Sequence, residues 1–175
     1  MVAESWGPSA WYFLHKIAFN YDKNKKNRYI KFINIFADFI PCPYCEHHFR
    51  KMLNESDFNK IMQNRDTFFS WTILIHNKVN NNNNKKIFSY NDALKIYNKN
   101  NVNKELITIF LNEFYKSNNY RGESLKNFLI LFCDLFPNEN VKRNLLGFYK
   151  RFDPKKIDNY KLYNIILNII NISIK

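Results

Sequence analysis

The chain has 175 residues, 46% of them hydrophobic and 18% aromatic, and a formal net charge of +12. This is enough for one ordinary domain, or a small domain with an extension, around a packed core. Three glycines and five prolines are too few for the tight turns of an all-β protein, and three cysteines are too few for a small disulfide-stapled secreted scaffold.

Taken in chain order, the pattern predicts helices almost throughout. Gly7-Pro8 reads as a helix start, with Pro8 in the first turn and Trp11, Leu14, His15 and Ala18 on one face. A polar break from Tyr21 to Asn27 precedes a second helix, from about Arg28 to Ile40, which Pro41 ends. Cys42-Pro43-Tyr44-Cys45 opens a third helix that runs to Leu53, and a fourth runs from about Asp66 to Asn80 through Phe69, Ile73 and His76. Residues 80–86, five Asn followed by two Lys, form a polar turn. Ser89 then caps a short fifth helix, with Asp92 as its acidic partner three residues on.

The expectation is thus an all-α chain: a four-helix bundle with a short fifth helix over residues 1–98, then a helical C-terminal extension over residues 99–175. Asn98 to Asn103 reads as a linker. Beyond it, Ile107, Phe110, Leu111 and Phe114 stripe one segment, and Leu125, Phe128, Leu129 and Phe132 stripe the next, which stops at Pro137. A segment from Val141 to Phe152 follows, and Asp153-Pro154 precedes an amphipathic last helix. These stripes read as core. The extension has no polar constellation that suggests chemistry, and Cys133 beside its stripe reads as a buried small hydrophobe. No secretory signal opens the chain, and no apolar run approaches a membrane span. The basic residues are spread along the chain, mostly Lys beside Asn, and read as a solvated surface, with no nucleic-acid partner expected.

Chemistry concentrates at Cys42 and Cys45. A CxxC at a helix start places two sulfurs within ring-closing distance, where free backbone N–H groups and the helix dipole favour a thiolate. Three readings compete. A zinc site would draw on Cys42, Cys45, His47 and His48, but one short helix cannot wrap four ligands around one ion, and no second ligand pair follows. A thioredoxin-like enzyme is suggested by Cys-Pro-Tyr-Cys itself, but that fold needs a later strand beginning with proline, and no proline stands between Pro43 and Pro137. The third reading is a flavin-linked thiol oxidase. A basic helical binding module with an incidental CxxC is the alternative of a different class.

Three separated blocks carry the third reading: Trp6-Gly7-Pro8 with Trp11 and Leu14-His15; Cys42-x-x-Cys45-x-x-His48-Phe49; and Phe68 or Phe69, Trp71, His76-Asn77-x-Val79-Asn80, then Lys85. In this order they resemble the Erv/ALR family of FAD-dependent sulfhydryl oxidases, especially its compact viral members, over roughly Trp6 to Asn98. The resemblance implies FAD as cofactor, with Gly7, Trp11, His15, Tyr44, His48, Trp71, His76, Asn77, Val79, Asn80 and Lys85 around it. It makes Cys42 the sulfur that exchanges with substrate and Cys45 the sulfur beside the flavin. A dithiol protein or a separate thiol shuttle would be the substrate, molecular oxygen the acceptor and hydrogen peroxide the product.

The resemblance further implies a homodimer, and a viral form working in the host cytoplasm, a virus factory or a virion, with the mitochondrial intermembrane space as the alternative. Two features depart from the family pattern. Asn83-Asn84 replaces a Leu-Gly pair before the lysine, where Asn can still adopt the left-handed backbone that Gly would supply. The shuttle cysteine pair of many members has no counterpart here, because Cys133 is single.

Overall fold

The structure, a computed structural model, describes residues 3–98, 101–118, 122–151, 153 and 156–174. Phe152, Pro154 and part of the 98–103 linker lie outside them. Every regular element among the described residues is helical, so the all-α expectation holds. The helices are α1 (Ala3–Phe19), α2 (Lys26–Asp38), α3 (Pro43–Asn54), α4 (Phe58–Ile61), α5 (Arg65–Asn82), α6 (Tyr90–Tyr97), α7 (Lys104–Asn118), α8 (Gly122–Asp134), α9 (Glu139–Arg151) and α10 (Asn159–Ser173), with a 3-10 turn at Lys23–Lys25 before α2.

Local chemistry sets the helix starts. Cys42 caps α3 with its own sulfur, and Pro43 occupies the first helical position. Asn64 and Thr67 form a reciprocal capping box at α5, and Ser89 and Asp92 form another at α6. Two elements differ from the sequence reading. Helix α1 runs through Pro8 back to Ala3; proline forfeits one backbone bond there, but Trp6 is buried against Phe114, and this tertiary contact holds the extra turn. Helix α4 was not expected. Asp57 starts it by accepting from the N–H groups of Asn59 and Lys60.

Helix α1 packs against α5 on one side and α7 on another, and α2 packs against α3 and α8. The core between the N-terminal and C-terminal helices is largely phenylalanine. Phe13 meets Phe110 at 4.9 Å and Phe132 at 4.6 Å between ring centroids. Phe36 meets Phe114 at 5.4 Å, and Phe39 meets Phe128 at 4.9 Å. Each such fully buried ring contributes about 1.5–3 kcal/mol relative to exposure. The stripes anticipated on α7 and α8 are the buried ones, and Cys133 lies buried among them. A polar clamp joins the same two parts: Asp134, at the end of α8, accepts from Lys25 at 2.9 Å and from Arg28. No helix of the described residues is long and apolar enough to cross a membrane.

Candidate active site

Cys42 and Cys45 are joined as a disulfide, with Cα atoms 5.1 Å apart. Cys42 sits at the N-cap of α3 in extended backbone, and its Sγ accepts the Cys45 N–H at 3.2 Å. The same N–H is in place to stabilise a Cys42 thiolate once the bond opens. Tyr44 between the cysteines is 71% exposed and lies 4.4 Å from the half-buried His48 ring. Among the described residues no group of three or more His, Cys, Asp or Glu side chains is arranged to hold a metal ion.

Four residues after Cys45, on the same helix face, Phe49 is buried and meets Trp11 of α1 edge-on at 6.3 Å. Trp11 opens a second cluster. Its indole stacks on the His76 imidazole at 4.3 Å, with the planes 7° from parallel. His15, one turn on from Trp11, bonds His76 through Nε2 to Nδ1 at 2.9 Å. Its other nitrogen, Nδ1, lies 2.9 Å from Thr72 Oγ1, and Thr72 donates to the Phe69 carbonyl at 2.7 Å. Tyr97 of α6 leans on His15 at 5.0 Å. Burial pushes His15 well below the usual histidine value, and the neighbouring His76 adds to this. Burial, with the Lys85 charge, pushes His76 down to about 4. Both rings are therefore neutral near pH 7.

The loop after α5 is tied down by the asparagines of the third sequence block. Asn77 makes a two-way clamp on Phe88: its side-chain amide donates to the Phe88 carbonyl at 2.7 Å, and its oxygen accepts the Phe88 N–H at 2.9 Å. Asn80 donates to the Lys86 carbonyl at 2.9 Å, and its own carbonyl accepts the Lys85 N–H at 2.8 Å. The Val79 carbonyl accepts from Asn83. Asn84 takes φ 53°, the left-handed backbone expected of it. These bonds hold Lys85 close enough to His76 for its charge to be felt there.

The structure thus brings together Trp11, His15, His76 and Lys85, with Asn77, Val79 and Asn80 shaping the adjacent loop. Phe49, four residues after Cys45 on α3, brings the disulfide's helix against this cluster at Trp11. Trp71 stands apart: its indole N–H donates to Ser56 at 2.8 Å, and its ring packs on Phe58 and Phe68. Thr72 was missed by sequence reasoning, although it lies one helical turn before His76.

The residue types suit a planar, phosphate-bearing cofactor: an indole, two neutral imidazoles and a lysine. Gly7 lies one turn before Trp11 on the same face, and a Cβ added to it would meet nothing within 4 Å, so there is room beside α1. Lys85 is exposed, and no described residue partners His76 Nε2. A pocket of about 160 Å³ lies elsewhere, between the 3-10 turn and the α8–α9 junction, and none of the residues that line it belongs to this cluster.

The Erv1 / Alr family model matches residues 8–107. The chain is 33% identical over 104 residues to a probable FAD-linked sulfhydryl oxidase, R368, of Acanthamoeba polyphaga mimivirus, covering 57% of this chain and 73% of the relative. It is 36% identical over 96 residues to the FAD-linked sulfhydryl oxidase of African swine fever virus (isolate Pig/Kenya/KEN-50/1950), covering 53% of this chain and 79% of that protein. The mitochondrial FAD-linked sulfhydryl oxidase ERV1 of Saccharomyces cerevisiae is 32% identical over 92 residues, which span 50% of this chain and 48% of the yeast protein. No solved structure matches the chain.

Proposed function

The chain belongs to the Erv1 / Alr family, and from that membership we propose that it is an FAD-linked sulfhydryl oxidase that forms disulfides in a dithiol protein through Cys42 and Cys45. The observation that carries the reading is the Cys42–Cys45 disulfide at the start of α3, the helix whose Phe49 meets Trp11 of the Trp11–His15–His76 cluster. Residues 1–98 carry the oxidase chemistry in this reading, and residues 99–175 complete the core behind it.

A substrate thiolate attacks Cys42 Sγ, and the Cys42–Cys45 bond breaks as the mixed disulfide forms. Cys45 leaves as a thiolate. The second substrate thiolate attacks the mixed disulfide, the product disulfide departs, and Cys42 leaves as a thiolate at the N-cap, held by the Cys45 N–H. Bound FAD supplies the two-electron acceptor that returns the pair to the disulfide, and dioxygen takes those electrons to give hydrogen peroxide. Overall, one dithiol and one dioxygen become one disulfide and one hydrogen peroxide. Gly7, Trp11, His15, His76 and Lys85 hold the cofactor, with Tyr44 and His48 beside the sulfurs. Asn77, Val79 and Asn80 shape the loop that presents Lys85, and Trp71 serves the packing of α4 against α5.

In this reading the substrate is a separate dithiol or shuttle protein, because Cys133 is buried within the core and not placed to exchange with the Cys42–Cys45 pair. A homodimer would form through surfaces other than the faces of α1 and α2 that α7 and α8 cover. The viral relatives favour the host cytoplasm, a virus factory or a virion, and the mitochondrial relative keeps the intermembrane space as the alternative. The test is direct. Purified protein should be yellow and should consume oxygen when given dithiothreitol, and Cys45→Ser should keep the colour and lose turnover. A colourless protein that binds no added FAD, or a Cys45→Ser variant with normal turnover, would refute the reading.

A further inference from the structure

The two histidines behind Trp11 form a chain with a direction. Thr72 Oγ1 carries one proton, and the Phe69 carbonyl, at 2.7 Å, is its nearest acceptor. With that proton on the carbonyl, the contact from Thr72 to His15 Nδ1 at 2.9 Å is one in which the imidazole donates and the hydroxyl accepts. His15 is a neutral ring, 3% exposed. With its proton on Nδ1, its Nε2 can only accept. The bond from His15 Nε2 to His76 Nδ1 at 2.9 Å therefore takes its proton from His76. His76 is neutral as well, so its Nε2 carries a lone pair and no hydrogen.

We propose that Thr72 is a positioning residue: acting through His15, it fixes the tautomer of His76 so that His76 Nε2 is a hydrogen-bond acceptor for an N–H or O–H group of the bound cofactor. This rests on the reading that FAD binds at the Trp11–His76 face. Several features of the structure support it. Thr72 is wholly buried in an otherwise apolar stretch of α5, where a hydroxyl needs a partner, and His15 supplies one. His76 Nε2 has no partner among the described residues. Stacking on Trp11 with the planes 7° from parallel fixes the plane of the His76 ring, and therefore the direction of that lone pair. FAD carries donors in its adenine amino group, its hydroxyls and its flavin imide. A ring held in the opposite tautomer would present a second donor to them and repel instead of bind.

The experiment separates the relay from the cofactor. Histidine side-chain nitrogen shifts measured by NMR on the FAD-free wild type should report protons on Nδ1 of both His15 and His76. Thr72→Val removes the hydroxyl at nearly constant shape. It should shift His15 away from the Nδ1–H form and weaken FAD binding, read by flavin fluorescence titration, by roughly tenfold, the effect of one lost hydrogen bond. Thr72→Ser, which keeps a hydroxyl, should restore both readings even if the valine variant folds poorly. A wild-type His76 protonated on Nε2 would overturn the proposal. So would Thr72→Val with wild-type tautomers, or with altered tautomers and unchanged FAD affinity. A wild type that binds no FAD overturns the functional reading and the cofactor half of this proposal, while the nitrogen shifts still decide the relay.

Discussion

Acidification between pH 7.5 and 4.5 should destabilise this protein through its buried histidines. His76 titrates at about 4 in the folded chain because burial, then the Lys85 charge, disfavour its cation, against 6.5 when unfolded. Between those values the unfolded chain binds more protons than the folded one, so stability is fully present above pH 6.5 and falls as the pH drops towards 4. The whole displacement corresponds to about 3 kcal/mol, most of which is gone by pH 4.5. His15 is displaced in the same direction and adds to the loss. The carboxylates do not confuse this window. Burial works the other way on Asp134, but Arg28 and Lys25 hold it below its ordinary 3.8, so the stability it lends is lost only at lower pH. Urea unfolding of the FAD-free protein followed by far-UV circular dichroism, at pH 7.5 and 4.5, measures the difference. In His76→Gln the drop should shrink by the His76 share. Equal stability at the two pH values, or a drop just as large in the variant, would refute the reasoning.

Truncation after Asn98 would strip α7 and α8 from Phe13, Phe32 and Phe36, so the shortened chain should be insoluble or bind a hydrophobic dye without cooperative unfolding; solubility and a urea titration decide it. Asp134→Ala leaves Lys25 and Arg28 without their carboxylate at a site where the Asp134 side chain is only 10% exposed, and should cost about 1–3 kcal/mol, read as a shift in the urea midpoint. Asn77→Ala releases both bonds to Phe88. It should speed proteolytic cleavage within residues 83–89 and weaken FAD retention on gel filtration, leaving overall helicity unchanged.

Much of this architecture could be read from residue spacing. The stripes at Ile107, Phe110, Leu111 and Phe114, and at Leu125, Phe128, Leu129 and Phe132, are the buried faces of α7 and α8, because a 3.6-residue period and apolar burial are the same fact seen twice. Asp92 after Ser89 marked a capping box that formed. The start of α1 was less legible: Pro8 has the local signature of a first turn, and only the distant contact of Trp6 with Phe114 extends the helix past it. Helix α4, at four residues, is too short to show a period, and its one signal was the Asp57 cap. Within the site, the residue types were legible but the roles of some were not. Trp71 precedes His76 by five residues, about 140° around a helix, so it points to Phe58 and Ser56. The part played by Asn77 and Asn80 depends on where the loop backbone returns, which no local pattern encodes.

The two sides of α1 connect these parts. Trp6, Ala10, Phe13 and Ile17 follow one another at helical spacing and form a stripe that includes the α7 contacts. Gly7, Trp11, His15 and Ala18 form a second stripe, about 120° around the axis, which includes the contacts with His76. Because both stripes belong to one rigid helix, the phenylalanine core behind α1 fixes the angle at which Trp11 and His15 are presented to α5. The aromatic pairs Phe13–Phe110 and Phe13–Phe132 are thus part of what aligns the Trp11–His76 stack, although none of them touches it. The C-terminal helices occupy a face of α1 that a chain ending near Asn98 would leave apolar and open, and which would then demand a partner. In this chain that demand is met internally, so any second copy has to dock on a surface that leaves the Phe13 stripe covered.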